Sequence, residues 1–386
     1  MKKVLAVLCL VLILCSCSNK KQSEYKPSVT GSGVWISYYE LEEMLKCDEG
    51  FETEFQKLIE NCKDFRIENL YLHTRAFGET LYPTEHFPLL ESAKTYDFDI
   101  FEYIVTEGQK NGFKIHAWIN PYRISTNANI GKLNKESFVY EWLENSPKSK
   151  DICFANGIYL NPASEKVRTL ILKEVRELIT KYNIDGIHFD DYFYPTQKSE
   201  FDESSFLEYK SKSKNPLSLA DWRRENVNML ISSCNSLINY LNDKIIFSIS
   251  PTASLQNNYE NLYADIETWI NLGLVDEIIP QLYFGFQYPD NSFRFNNLLN
   301  FWKNLVDKNQ QIKLKIGLGF YKAKPTLEAD REEWENNTDI IARQVQICES
   351  DHKVSGYVYF SYSTLFGKDA KYKAQREKIK EIGESK

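Results

Sequence analysis

Eight short runs rich in β-branched and aromatic residues recur along this 386-residue chain and limit what it can fold into. They are GVWIS (33–37), NLYLHTR (69–75), KIHAWIN (114–120), GIHFDD (186–191), KIIFSIS (244–250), DEIIPQLY (276–283), KLKIGLGF (313–320) and GYVYFSY (356–362). Helical patterns fill the intervals, at 51–64, 98–111, 164–182, 218–242, 262–272, 295–306, 337–349 and 367–382. In the clearest, Val167, Ile171, Val175, Leu178 and Tyr182 share one face, and Asn161-Pro162 sits where an N-cap and first-turn proline are expected. Strand–helix alternation repeated eight times predicts an α/β chain with a parallel sheet inside and helices outside, closed as a (β/α)8 TIM barrel in a single catalytic-type domain over 33–386. A doubly wound open sheet is the alternative. It would carry a glycine-rich phosphate loop after an early strand, and the sequence has none.

The first 16 residues do not belong to that domain. Lys2 and Lys3 precede an apolar run and small residues, which reads as a secretory signal segment too short for a comfortable membrane span. Leu14-Cys15-Ser16-Cys17 resembles a bacterial lipobox, so Cys17 is the expected lipidation site and 17–32 a tether. The expected location is the cell envelope, on a bacterial membrane reached through the lipid anchor. In a Gram-negative cell that is the periplasmic face of the outer membrane. Removing Lys2 and Lys3 leaves 45 basic residues against 54 acidic ones, a net charge of −9. No basic block stands out, which argues against a nucleic-acid partner. Cys47, Cys62, Cys153, Cys234 and Cys348 are scattered and form no C-x-x-C pair, so neither a zinc site nor a disulfide framework follows.

In a barrel of this kind the active site lies at the C-terminal strand ends. These ends carry carboxylates, amides, imidazole and guanidinium where small turn residues would serve a purely structural end. The fourth run stops on two acids, Asp190 and Asp191, followed by Tyr192-Phe193-Tyr194-Pro195. Strand alternation puts His188 and Asp190 inward and Ile187 and Phe189 against the helices, with Asp191 just past the end and able to turn into the cleft. Two carboxyls held together cannot both ionise freely, so one can donate a proton at neutral pH while the other stabilises positive charge. That division of labour suits glycoside hydrolysis, and aromatic faces beside acids suit a sugar ring. The pair can also ligate a divalent metal through oxygen. No third carboxylate is comparably placed, so neither metal nor other cofactor is expected. Around Asp190 and Asp191, the candidate substrate-binding residues are Arg75, His116, Asn120, Arg123, His188, Tyr192, Gln281 and Tyr283.

The motifs GVWIS, HAWINPYR, YLNPASEKVR, YNIDGIHFDDYFYP, DEIIPQLYF, IGLGFY and FSYSTL, in that order across 33–366, resemble the bacterial glycoside hydrolase-like family 10 lipoproteins. The resemblance implies a secreted barrel that hydrolyses the glycan of bacterial cell wall. It implies cleavage between N-acetylmuramic acid and N-acetylglucosamine in strands stripped of their stem peptides, or action on a related polysaccharide. It also carries over Asp190 and Asp191 as the acids, with the cleft residues named above around the substrate. The chain departs from the family pattern at His73-Thr74-Arg75, at SPTASLQNN (250–258) and at Tyr283-Phe284, which alters an aromatic platform. A weaker likeness to chitinase-like family 18 glycosidases aligns Asp190 with an inner acid and Tyr192 with that family's glutamate. Two other classes remain open: a carbohydrate-binding envelope lipoprotein without chemistry, and a metal-dependent deacetylase or phosphodiesterase.

Overall fold

The computed structural model describes residues 31–145, 150–324 and 329–384. The expected signal segment, Cys17 and most of the expected tether lie outside the described residues. Gly31 and Ser32 belong to the folded body: both are buried, and the Ser32 carbonyl accepts from the Glu68 and Asn69 amides.

All eight apolar runs form strands. They are β1 (Gly33–Ile36), β2 (Asn69–Arg75), β3 (Lys114–Ile119), β7 (Gly186–Phe189), β8 (Ile246–Ile249), β9 (Glu277–Ile278), β10 (Lys313–Gly319) and β11 (Gly356–Phe360). They close into a parallel barrel in the order β1-β11-β10-β9-β8-β7-β3-β2. Every crossover carries helix, as parallel neighbours require. Three further strands, β4 (Arg123–Ser125), β5 (Ile152–Phe154) and β6 (Ile158–Leu160), form an antiparallel sheet in the connection between β3 and β7. The sequence reading did not anticipate it.

The helices Phe51–Asp64 and Phe295–Val306 coincide with their predicted spans. Helix Glu165–Lys181 starts later than Asn161-Pro162 suggested. Its N-cap is Ser164, whose hydroxyl accepts from the Val167 amide at 3.2 Å. Asn161 instead ties down the preceding turn, its side chain accepting from Ala163 N–H at 3.0 Å and donating to Ser205 Oγ at 3.0 Å. A side chain bonded into the turn is not free to cap.

Two layers of core follow from strand alternation. Outward side chains such as Ile115, Ala117, Ile119, Ile187 and Phe189 pack under the helices in one continuous apolar shell. Inward side chains Trp35, Tyr71, Trp118, Ile279 and Val358 fill the barrel as a separate cluster. Beneath them a buried ion pair, Lys315 Nζ to Glu277 Oε2 at 2.9 Å, is joined to the Tyr71 hydroxyl at 3.0 Å. Gly186 begins β7 because nothing larger fits: a Cβ there would lie 2.2 Å from His116 Nδ1.

Candidate active site

Asp190 follows β7 directly and keeps its inward alternation. It is 3% exposed. Its Oδ2 accepts from the Trp118 indole N–H at 3.2 Å, and its Oδ1 from the Tyr192 amide at 3.1 Å. Asp191, partly exposed, accepts from the Gln281 side-chain amide at 3.2 Å. Gln281 also donates to the Ser250 carbonyl at 3.0 Å, so the end of β8 fixes the amide that fixes the acid. Burial, then the neighbouring Asp191 charge, pushes Asp190 up to about 7, against the opposing pull of Arg123 and of its two donors. Burial also raises Asp191, opposed by a backbone amide, Gln281 and Arg123. The pair therefore titrates jointly, with one proton retained well above the ordinary carboxylate range.

Arg123, at the start of β4, faces this pair. Its guanidinium lies over the Tyr192 ring at 4.2 Å and the Phe77 ring at 4.7 Å. Tyr192 is exposed. Tyr283 stacks on Phe360 with centroids 5.7 Å apart, and burial lifts its phenol well above the usual range. Asn120, inward by alternation after Trp118, is fully buried, with neither side-chain atom hydrogen-bonded.

Two cavities open at the strand ends on opposite sides of β7, neither of them lined by Asp190 or Asp191. One, of about 620 Å³, lies on the β3–β2 side and is lined by Tyr38, Tyr39, His73 and Phe77. His73 stacks on Trp118 at 3.6 Å, one residue from Asp190. The other, of about 410 Å³, lies on the β8–β9 side and is lined by Thr252, Asn257, Gln281, Tyr283 and Tyr321. Gln281 brings that cavity into contact with Asp191.

The structure thus gathers Asp190, Asp191, Arg123, Tyr192, Gln281 and Tyr283 at one mouth, with Asn120 at the end of β3. Three other predicted residues lie elsewhere. His188 is one layer down, fully buried, with Trp35 Nε1 donating to its Nε2 at 3.0 Å and Ser248 Oγ at its Nδ1, 2.8 Å away. Burial and then the Lys315 charge lower it to about 3, so its ring is neutral. His116 is deeper still, in register with Gly186, stacked on Tyr71 at 4.4 Å and bonded to Asn69 at 3.1 Å. The expectation that it contacts substrate is corrected by this depth.

Arg75 is corrected for a different reason. The register of β2 against β3 slips between His73 and Arg75, so Arg75 pairs with Ile119, whose side chain faces the outer shell. One skipped residue reverses the face. Arg75 consequently points under helix Glu165–Lys181, fully buried, and grips Glu174 with Nε–Oε1 at 2.6 Å and Nη2–Oε2 at 2.8 Å. It is a staple between strand and helix.

Sequence reasoning passed over Trp118, although it stands two residues beyond His116 and so on the same inward face. Among the described residues, the group of ligating side chains with atoms close enough for a metal is Cys47, Glu49 and Glu54, which includes neither acid.

Comparisons place this geometry in a lineage. Residues 32–336 match the family described as glycosyl hydrolase-like 10. The chain is 28% identical over 339 residues to glycosyl hydrolase YngK of Bacillus subtilis, an alignment covering 81% of this chain and 64% of that protein. It therefore spans a little under two thirds of that relative's length. It is 27% identical over 324 residues to glycosyl hydrolase DigH of Escherichia coli, covering 76% of this chain and 72% of DigH. The glycoside hydrolase domain of PgaB (BpsB) from Bordetella bronchiseptica superposes with a TM-score of 0.58 at 14% identity, covering 90% of this chain and 98% of that one. The catalytic domain of a Paenibacillus polymyxa β-amylase does so at 0.57 and 11%, covering 92% and 98%. These last two establish the shared fold. With four fifths of its length matched by that family's model, the chain belongs to the glycosyl hydrolase-like 10 family.

Proposed function

We propose that this protein is a glycoside hydrolase of bacterial cell-wall glycan, cutting between N-acetylmuramic acid and N-acetylglucosamine in strands free of stem peptides. One observation carries the reading: the Asp190–Asp191 pair, held at the end of β7 by Trp118 and Gln281 and keeping a proton up to about 7. Such a pair offers an acid and an anion at once near neutrality. Asp191, partly exposed, protonates the glycosidic oxygen. Asp190, buried against Trp118, orients the 2-acetamido group of the sugar. The acetamido oxygen attacks the anomeric carbon as the leaving oxygen takes its proton. Water then opens the cyclic intermediate, with Asp191 accepting a proton back. Substrate assistance of this kind needs no second carboxylate on a distant strand. Tyr38 and Tyr39 in one cavity and Tyr283 in the other offer aromatic faces for sugar rings. The relatives' names as glycosyl hydrolases support the reaction class. Lipidation at Cys17 would hold the enzyme on a membrane beside the polymer.

The test incubates the full chain and its Asp191→Asn variant with peptide-free glycan strands and reads products by mass spectrometry. Fragments from the parent alone are expected, in the presence of a chelator as well as in its absence. Undiminished cleavage by Asp191→Asn would refute the assigned role. Strand binding with no turnover by the parent would favour a carbohydrate-binding protein, and loss of turnover on chelation a metal-dependent enzyme.

A further inference from the structure

Arg75, Arg223 and Arg123 are set into the interior or the mouth of the protein, and their circumstances differ. Arg75 grips Glu174, and Arg223 grips Asp202 with Nη2–Oδ1 at 2.5 Å; each buried guanidinium has its own carboxylate. Arg123 has none: among the described residues no carboxylate oxygen comes within ion-pair reach of it, and its Nε–H is buried without an acceptor. Yet it is held firmly, between the faces of Phe77 and Tyr192. A planar cation clamped between two rings keeps its remaining in-plane N–H donors for an incoming acceptor. It also stands close enough to the mouth to act on both Asp190 and Asp191.

The chemistry of the substrate supplies what this cation lacks. Peptide-free and peptide-bearing strands differ at the lactyl group of N-acetylmuramic acid, a carboxylate in the first and an amide in the second. A neutral contact separates those two weakly. A fixed guanidinium separates them strongly, because the carboxylate forms charge-assisted, bidentate bonds that an amide cannot match. The protein is acidic overall, with a formal net charge of −7, so a polyanionic strand gains nothing from its general field. A local cation is needed where the carboxylate docks.

We infer that Arg123 is the specificity-determining residue that reads the free lactyl carboxylate of N-acetylmuramic acid, through the unpaired terminal N–H groups of a guanidinium clamped between Phe77 and Tyr192. This rests on the reading of the protein as a cell-wall glycan hydrolase and names the group by which it selects stripped strands. The competing role for Arg123 is tuning of the two acids, which would affect every substrate alike.

The experiment compares the full-length protein on two preparations of one glycan: peptide-free strands, and the same strands with lactyl carboxylates converted to methylamides. The parent is expected to show kcat/KM at least tenfold higher on the carboxylate form, chiefly through KM. Arg123→Gln should slow cleavage of both forms, because Arg123 acts on Asp190 and Asp191, but should fall at least tenfold further on the carboxylate form, so that the preference is lost. Arg123→Lys should keep part of it. Equal rates of the parent on both forms would overturn the inference while leaving the hydrolase reading intact. So would an equal fall on both forms in Arg123→Gln, which is the signature of acid tuning. Cleavage of neither form by the parent would overturn both. The comparison within the parent needs no variant, so a misfolded substitution does not blunt the test.

Discussion

Replacing Asp190 by asparagine should make the protein inactive and, at alkaline pH, more stable. The carboxyl is raised from 3.8 to about 7 in the folded chain. The native state therefore binds a proton that the unfolded chain has already released, and wild-type stability falls as pH rises through that window. Between about pH 5 and about pH 8 the linkage amounts to roughly 2–3 kcal/mol, at about 1.4 kcal/mol per pKa unit. The substituted amide does not titrate and escapes the fall. The substitution also has a cost that does not vary with pH. Both oxygens of Asp190 accept from N–H donors, so the asparagine amide must face one of them donor to donor, which costs roughly 1–2 kcal/mol. The diagnostic quantity is consequently the change between the two pH values. Urea unfolding of both proteins at each pH measures it. The wild type should lose roughly 2–3 kcal/mol more than the variant on going to the higher pH. Parallel losses would refute the raised carboxyl and, with it, the proton the pair is proposed to deliver.

On glycan strands, log kcat/KM should fall with rising pH once the pair loses its last proton near 7, and a profile flat to about pH 9 would contradict this. Arg75→Ala should destabilise by about 3–5 kcal/mol, because Glu174 is left buried and unpaired. Urea midpoints would show it, whereas a higher KM at unchanged stability would return Arg75 to the cleft. The double change Arg75→Met with Glu174→Leu should recover most of that loss. Gly186→Ala should cost about 1–3 kcal/mol by forcing His116 out of its place, again readable in urea.

The barrel was legible because buried parallel strands are nearly continuous apolar runs, and their spacing left room for a helix in each crossover. The position of Asp190 and Asp191 was legible because they break such a run at the C-terminal strand end, where the structure places them side by side. What escaped depended on register. His116 and Trp118 share a face, and only the pairing of His116 with Gly186 shows that the histidine lies deep and the indole reaches the acid. Arg75 looked like a cleft residue under simple alternation, and the slip after His73 turns it outward. No composition or spacing marks that slip. The β5–β6 hairpin was missed for a lesser reason. Its strands are three residues each, but Asn156-Gly157 between them is the turn pair that favours a hairpin.

The packed floor of the barrel bears on how often the acid can be used. Below Asp190 lie Trp35, Trp118 and Tyr71, then the Lys315–Glu277 pair, all buried. His188 is held neutral and bonded to Trp35, Ser248 and Ser250. On the proposed reading the pair exchanges protons with solvent at the mouth, where Asp191 is partly exposed. A glycan bound across that mouth would cover the pair and hold it in the charge state it had on binding. Reloading waits until the leaving fragment has departed and water has taken its place. On that reading, the residence time of a sugar chain sets the interval between turnovers.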